Sequence, residues 1–257
     1  MALVGILAAW LPESPRFLAR KPNLAPGQAA LLQRLGIAAG RAELHPVDIA
    51  QGNPIKMLFG EGYALQTILL WIIFFCSLMN LFLFGYWLPE VLHLIGMTPA
   101  GAVFASSLRD FGAIFAVLYL GLLIDRVGPE RSLAFHYAAG AVFIAVISLS
   151  GAALSYGILL AIIFLCGMTI IGSQTGANAT CGKLYPARMR TSGLGWALGI
   201  GRLGGIAAPV LGGYLLTLGM PPTQIFLSAC GFAVIAAAAT GLLALRGVRT
   251  EPLAAVL

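Results

Sequence analysis

Charge is what this 257-residue sequence has least of: 9% of its residues are charged, against 60% hydrophobic. A soluble domain carries about 25% charged residues, so the composition excludes an ordinary water-facing surface. Cysteine is sparse as well. Cys76, Cys166, Cys181 and Cys230 fall in apolar stretches, with no CxxC and no Cys/His cluster, so neither a metal site nor a disulfide framework is expected. They read as small apolar packing residues. His45, His93 and His136 are scattered, and none falls mid-span, so each reads as a loop or interfacial residue. No nucleophile–base pair and no phosphate loop is present. The Gly-x-Gly strings near residue 200 lack the preceding strand that a nucleotide site needs. An enzyme is therefore not expected, and neither is a cofactor.

What the chain does have is long apolar runs. Six are long enough to cross a bilayer, at 64–88, 101–124, 133–154, 157–180, 192–218 and 223–245; a spanning helix takes roughly 20 apolar residues. The expected fold class is thus an all-α integral membrane protein with six transmembrane helices. Thirteen of the fifteen Lys and Arg residues lie in the loops and tails of one face, and none lies in the loops of the other. That is the positive-inside pattern, so the basic face and both termini are expected to be cytoplasmic. The same clustering removes nucleic acid as the reason for the net charge of +6. The expected partner is the lipid bilayer, as a multi-pass protein of a bacterial inner membrane.

The start of the chain is short for a span. Residues 1–11 look like the end of a helix whose beginning is missing, and they lack the basic start and small-residue cleavage site of a signal peptide. Residues 12–63 read as a polar, basic cytoplasmic loop with one amphipathic candidate, Gln28–Leu35. Residues 64–245 read as the six-helix lobe, and 246–257 as a cytoplasmic tail.

Charges inside the spans mark functional candidates, because a charge in hydrocarbon is costly. Arg202 lies mid-span, and Arg109 and Asp110 lie together in the second span. As sequence neighbours the latter two point about 100° apart and need not pair; Asp110 could instead meet Arg202, take up a proton, or be structural with Arg109. Asn80, Gln174 and Asn178 are polar groups in otherwise apolar runs, and Trp196 could stack on an aromatic ring. Trp71 and Trp87 bracket the first span as interfacial anchors would. Gly195/Gly199 and Gly201/Gly205 are GxxxG pairs that let helices approach closely. Pro209 removes a helix hydrogen bond and predicts a bend. The third and sixth spans are the plainest, as lipid-facing helices should be. This repeating polarity suggests two sets of three spans, an inverted repeat.

Three stretches carry a family resemblance. Gly121-Leu-Leu-Ile-Asp125-Arg126-Val-Gly128-Pro129-Glu130-Arg131 resembles the cytoplasmic loop signature of the major facilitator superfamily. Pro12-Glu13-Ser14-Pro15-Arg16-Phe17-Leu18 resembles the segment after helix 6 in its sugar- and organic-acid-type members. The run from Tyr185 to Gly205, with Gly176-Ala177-Asn178 before it, resembles the aromatic acid:proton symporter family, whose best-known members carry 4-hydroxybenzoate. The resemblance implies that the six spans are helices 7–12, a C-terminal lobe needing an N-terminal six-helix lobe, and that the cargo is a small organic acid with a proton. It implies roles for Arg190 and Arg202. It also implies a cytoplasmic gate of Gly121, Asp125, Arg126, Gly128, Arg131 and Arg190, with Asp125 latching onto the start of the fifth span. The structural alternative for Arg202 is an ion pair within the bundle. The sequence departs from the family at Arg109-Asp110, where Gln and Gly are expected, and at Glu130, where many members have His. Rival readings are a transporter of another solute, such as a sugar, shikimate or nicotinate, and a non-transporting fragment or subunit.

Overall fold

The computed structural model describes residues 54–60, 62–150 and 153–246. The stub at 1–11, most of the expected central loop and the tail beyond 246 lie outside the described residues.

Seven helices form the described chain: α1 (Pro54–Phe59), α2 (Ala64–Leu94), α3 (Pro99–Val127), α4 (Pro129–Ser150), α5 (Tyr156–Leu184), α6 (Ala187–Thr217) and α7 (Pro222–Leu245). The last six are long and apolar enough to cross a membrane. Their ends follow local chemistry. Thr98 accepts a hydrogen bond from the Gly101 amide at 3.2 Å and Pro99 takes the first turn, a cap that starts α3. Gly128, at φ 92°, ends α3 in a conformation that penalises a Cβ, and Pro129 starts α4 at once. α2 runs on through Pro89 to Leu94, and α6 through Pro209. In each case the proline gives up one hydrogen bond without ending the helix.

The packing obeys a simple exchange. α2 lies along α6 and α7, α5 lies along α3 and α4, and α4 lies along α7. Swapping α2–α3–α4 for α5–α6–α7 leaves this set of neighbours unchanged. Three crossings per unit oblige the second unit to start on the opposite face, so the repeat is inverted. Glycines set both long crossings. A Cβ at Gly112 or Gly167 would run into the backbone carbonyl of Phe164 or Arg109, and one at Gly204 would run into that of Phe75. Of the expected GxxxG pairs, Gly201/Gly205 faces α2, while Gly195 and Gly199 look onto open space.

α3 and α6 are the least buried of the six, and the plain third and sixth spans, expected to face lipid, also pair with each other. α4 and α7 are Ala-rich enough to pack against each other, whereas α3 and α6 flank the bundle and each leave one face uncovered. Trp71 and Trp87, expected as interfacial anchors, both also pack against protein. The Trp87 indole fills the slot left by Gly212, and Trp71 lies between the rings of Phe59 and Trp196, with centroids at 5.5 and 6.1 Å.

The interior divides in two. One apolar cluster gathers Leu83, Phe84, Leu88, Ile144, Ile163 and Phe226; the other gathers Leu70, Ile73, Phe74, Leu133, Ala177 and Ala236. Between them, at the midpoints of α2, α4, α5 and α7, sits a polar layer around a cavity of about 10 Å³.

Candidate functional site

Arg202 is the central residue of α6, and its side chain is exposed. Gly201, Gly204 and Gly205 hold the adjacent face of α6 against α2, which turns the guanidinium toward the uncovered face. Among the described residues Arg202 has neither an ion pair nor a hydrogen bond, so the structural alternative of an ion pair within the bundle is not formed here. An unpaired guanidinium at mid-height is a planar fork suited to a carboxylate.

Asp110 does not reach Arg202. It pairs with its neighbour: Arg109 donates to Asp110 Oδ1 through Nε at 3.0 Å and Nη2 at 2.7 Å. Of the readings left open for these two residues the structure shows the mutual pair, because the long Arg side chain folds back across the 100° between them. The pair is lopsided, with side chains 15% and 61% exposed. Gly85 on α2 makes the room, since a Cβ there would sit 3.1 Å from Arg109 Nη1. The cation is thus sunk between helices and the carboxylate left on the open face.

On α5, Gln174 Nε2 donates to Asn178 Oδ1 at 3.4 Å, and Asn178 is exposed. Two other candidates fall away from this face. Trp196 lies about 9 Å along α6 from Arg202 and roughly 120° around it, in the Trp71 cluster. Asn80 is 2% exposed and belongs to the internal polar layer. Its position on α2 faces α4 and α5 instead of the opening.

At the end of the bundle carrying the basic loops, Gly121, Asp125, Arg126 and Arg131 are exposed, and Gly128 forms the α3–α4 turn. Asp125 has no ion pair among the described residues, and the side chain of Arg188 lies outside them. α3 and α6 do not pack along each other, and the latch expected between Asp125 and the start of α6 falls in part outside the described residues. What ties this end is a set of hydrogen bonds. Tyr185 Oη donates to Thr67 Oγ1 at 2.9 Å, and Thr67 Oγ1 donates to the Leu58 carbonyl at 2.8 Å. Gln66 Nε2 donates to the Leu184 carbonyl at 3.0 Å, and Arg190 Nε to that of Tyr185 at 3.4 Å. Burial pushes the Tyr185 phenol up to about 12, only partly offset by the Thr67 bond, so it remains a neutral donor.

The sequence reading missed a second polar group. His136 is fully buried, not interfacial. Its Nδ1 hydrogen-bonds to the Ser132 carbonyl at 2.7 Å and its Nε2 to the Tyr119 hydroxyl. With Ser77, Asn80, Tyr137, Thr169 and Ser173 it lines the mid-height cavity. The spacings Ser77/Asn80 and Thr169/Ser173, three and four residues on a helix, were the available signal.

The comparisons agree with this geometry. The Major Facilitator Superfamily model matches residues 1–209 and again 70–255. The gallate transporter of Pseudomonas putida is 34% identical over 229 residues, 88% of this chain and 51% of that protein. The 4-hydroxybenzoate transporter PcaK of Acinetobacter baylyi is 31% identical over 84% of this chain and 48% of its own length. The 3-(3-hydroxy-phenyl)propionate transporter of Escherichia coli is 27% identical over 99% of this chain and 55% of its own. The chain therefore spans about half the length of the relatives it matches. With six spanning helices in two interchangeable triplets and a family match over nearly its full length, this multi-pass membrane chain belongs to the Major Facilitator Superfamily.

Proposed function

We propose that this chain is the C-terminal six-helix half of a proton-coupled transporter for aromatic carboxylates, working by alternating access against an N-terminal half. The observation that carries the reading is Arg202, an unpaired guanidinium at mid-height on the open face of α6. The names of the relatives supply the substrate class: gallate, 4-hydroxybenzoate and hydroxyphenylpropionate are aromatic rings bearing a carboxylate. Arg202 grips the carboxylate in two places, and Gln174 and Asn178 offer amides to ring hydroxyls. Asp110 takes the proton, which loosens its hold on Arg109. Gly121 and Asp125 face the N-terminal half at the closing end, where a glycine with open space above it permits a helix to come close.

Uptake of radiolabelled 4-hydroxybenzoate and gallate by a two-lobe protein containing this chain tests the site. Charge-assisted hydrogen bonds contribute about 1.5–3 kcal/mol each, so Arg202→Lys, which loses the fork, is expected to lower uptake roughly 10- to 100-fold. Normal uptake by Arg202→Ala removes this residue from the site. The basic end is assigned to the cytoplasm of a bacterial inner membrane on the charge count. A cysteine placed at position 128 is then expected to resist an impermeant thiol reagent applied from the periplasm, and its labelling from that side inverts the topology.

A further inference from the structure

The mid-height cavity lies apart from the open face that carries Arg202. It is walled by α2, α4, α5 and α7, and its polar lining is at least nine-tenths buried. Among the described residues Asn80 Oδ1 has no hydrogen-bond partner, and the Ser77 and Tyr137 hydroxyls have only each other, in a contact short of good hydrogen-bond geometry. Such an orphan in a protein interior costs about 1–3 kcal/mol, and in a bilayer no solvent reaches it from outside. One orphaned acceptor and two poorly paired hydroxyls aimed at one space imply a guest.

We propose that this cavity is a binding site for a single structural water that joins α2 to α4 and α5 at the middle of the membrane. Volume is the first reason. About 10 Å³ is roughly the smallest space that admits one water, and it excludes any organic acid. The donor and acceptor inventory is the second. Thr169 Oγ1 already donates to the Leu165 and Cys166 carbonyls at 2.9 and 3.2 Å, and Ser173 Oγ donates to the Thr169 carbonyl, so both hydroxyls have only lone pairs left. Asn80 Oδ1 is likewise an acceptor. Ser77 and Tyr137 touch each other, which engages one of their O–H groups and leaves the other free. The cavity thus offers one donor and several acceptors, within the two bonds that water takes and the two it gives. His136 contributes a wall only, since both its nitrogens are engaged elsewhere.

Other small guests fit less well. A sodium ion finds oxygen ligands but no carboxylate among the lining residues to offset its desolvation. Chloride would face Asn80 Oδ1 and the lone pairs of Thr169 and Ser173. A dry cavity leaves Asn80 Oδ1 without a donor.

A structure of the full chain in lipid nanodiscs, at a resolution that shows waters, is expected to show one density within hydrogen-bond reach of Ser77 Oγ, Asn80 Oδ1 and Tyr137 Oη; empty density there overturns the proposal. A melting cycle in the same nanodiscs gives an independent reading. Gly140 lines the cavity, and a Cβ there would lie 3.2 Å from Thr169 Oγ1, so Gly140→Ala intrudes on the water. It is expected to lower the melting temperature by a few degrees in the parent, and to do so far less in the apolar background Ser77→Ala/Asn80→Leu/Tyr137→Phe. An equal loss in both backgrounds reports crowding alone, and a gain in the parent reports a filled void; either result overturns the water. Replacing Na⁺ with K⁺ is expected to leave melting unchanged, and a sodium-specific stabilisation replaces the water with an ion.

Discussion

The polar residues of this lobe divide by what surrounds them. Arg202 keeps an exposed, unpaired guanidinium, whereas Arg109 spends its own on the next residue and on the notch at Gly85. The sequence showed Arg109 beside Asp110 and Arg202 alone at mid-span, but left open which partner each would find. The burial of Arg109 depended on a glycine on another helix, and that of Asn80 on which neighbour its side of α2 faces. Tyr185 is a different case. Its phenol is buried, it donates to Thr67, and burial holds its proton on up to about 12. A folded value above the ordinary one near 10 means the neutral form is favoured by folding. Its contribution is whole below about pH 10 and is lost as pH rises through about 12. Tyr185→Phe is expected to cost about 1 kcal/mol at neutral pH, the net worth of one hydrogen bond, and to flatten the alkaline fall in stability between those values. Melting curves across that range check it; an unchanged alkaline limb assigns the fall to other groups.

Helix identity was plain from the apolar runs, since length alone decides a span. Which helices lie innermost was not. The plain composition of the third and sixth spans suits lipid and suits helix packing equally, and only the observed pairing of α4 with α7 distinguishes the two. Glycine tells a similar story. Motif spacing singled out both Gly195/Gly199 and Gly201/Gly205, but only the second faces a helix. The consequences differ in sign. Gly167→Ala and Gly204→Ala each drive a methyl into a carbonyl across a crossing, and are expected to lose about 1–3 kcal/mol. Because the two crossings exchange under the repeat, the losses should be similar. Gly195→Ala and Gly199→Ala meet nothing, and are expected to leave the lobe unharmed or to gain up to about 1 kcal/mol of helix propensity. Thermal unfolding of the four variants checks this, and a parent-like melt for Gly167→Ala means that the α3–α5 crossing is looser than described.

At the level of the whole lobe, the two least covered helices stand on its flanks and do not pack along each other. The six spans and their family were legible in the apolar runs and the loop signatures, because topology is written in the loops and does not depend on packing. The arginine–aspartate pair of α3 bears on how such a lobe is made. A contact between sequence neighbours needs no other helix, so it can exist as soon as this segment coils. Arg202 has no such companion and must meet the translocon bare. An uncompensated arginine at a span's centre raises insertion cost by about 2.5–3.5 kcal/mol. The α3 segment is therefore expected to integrate more readily than one carrying Asp110→Asn, even when expressed alone. Glycosylation mapping of the isolated segment in microsomes reads this directly. Equal integration of the two would mean that the pair forms only after the helices assemble, and that biogenesis draws no benefit from it.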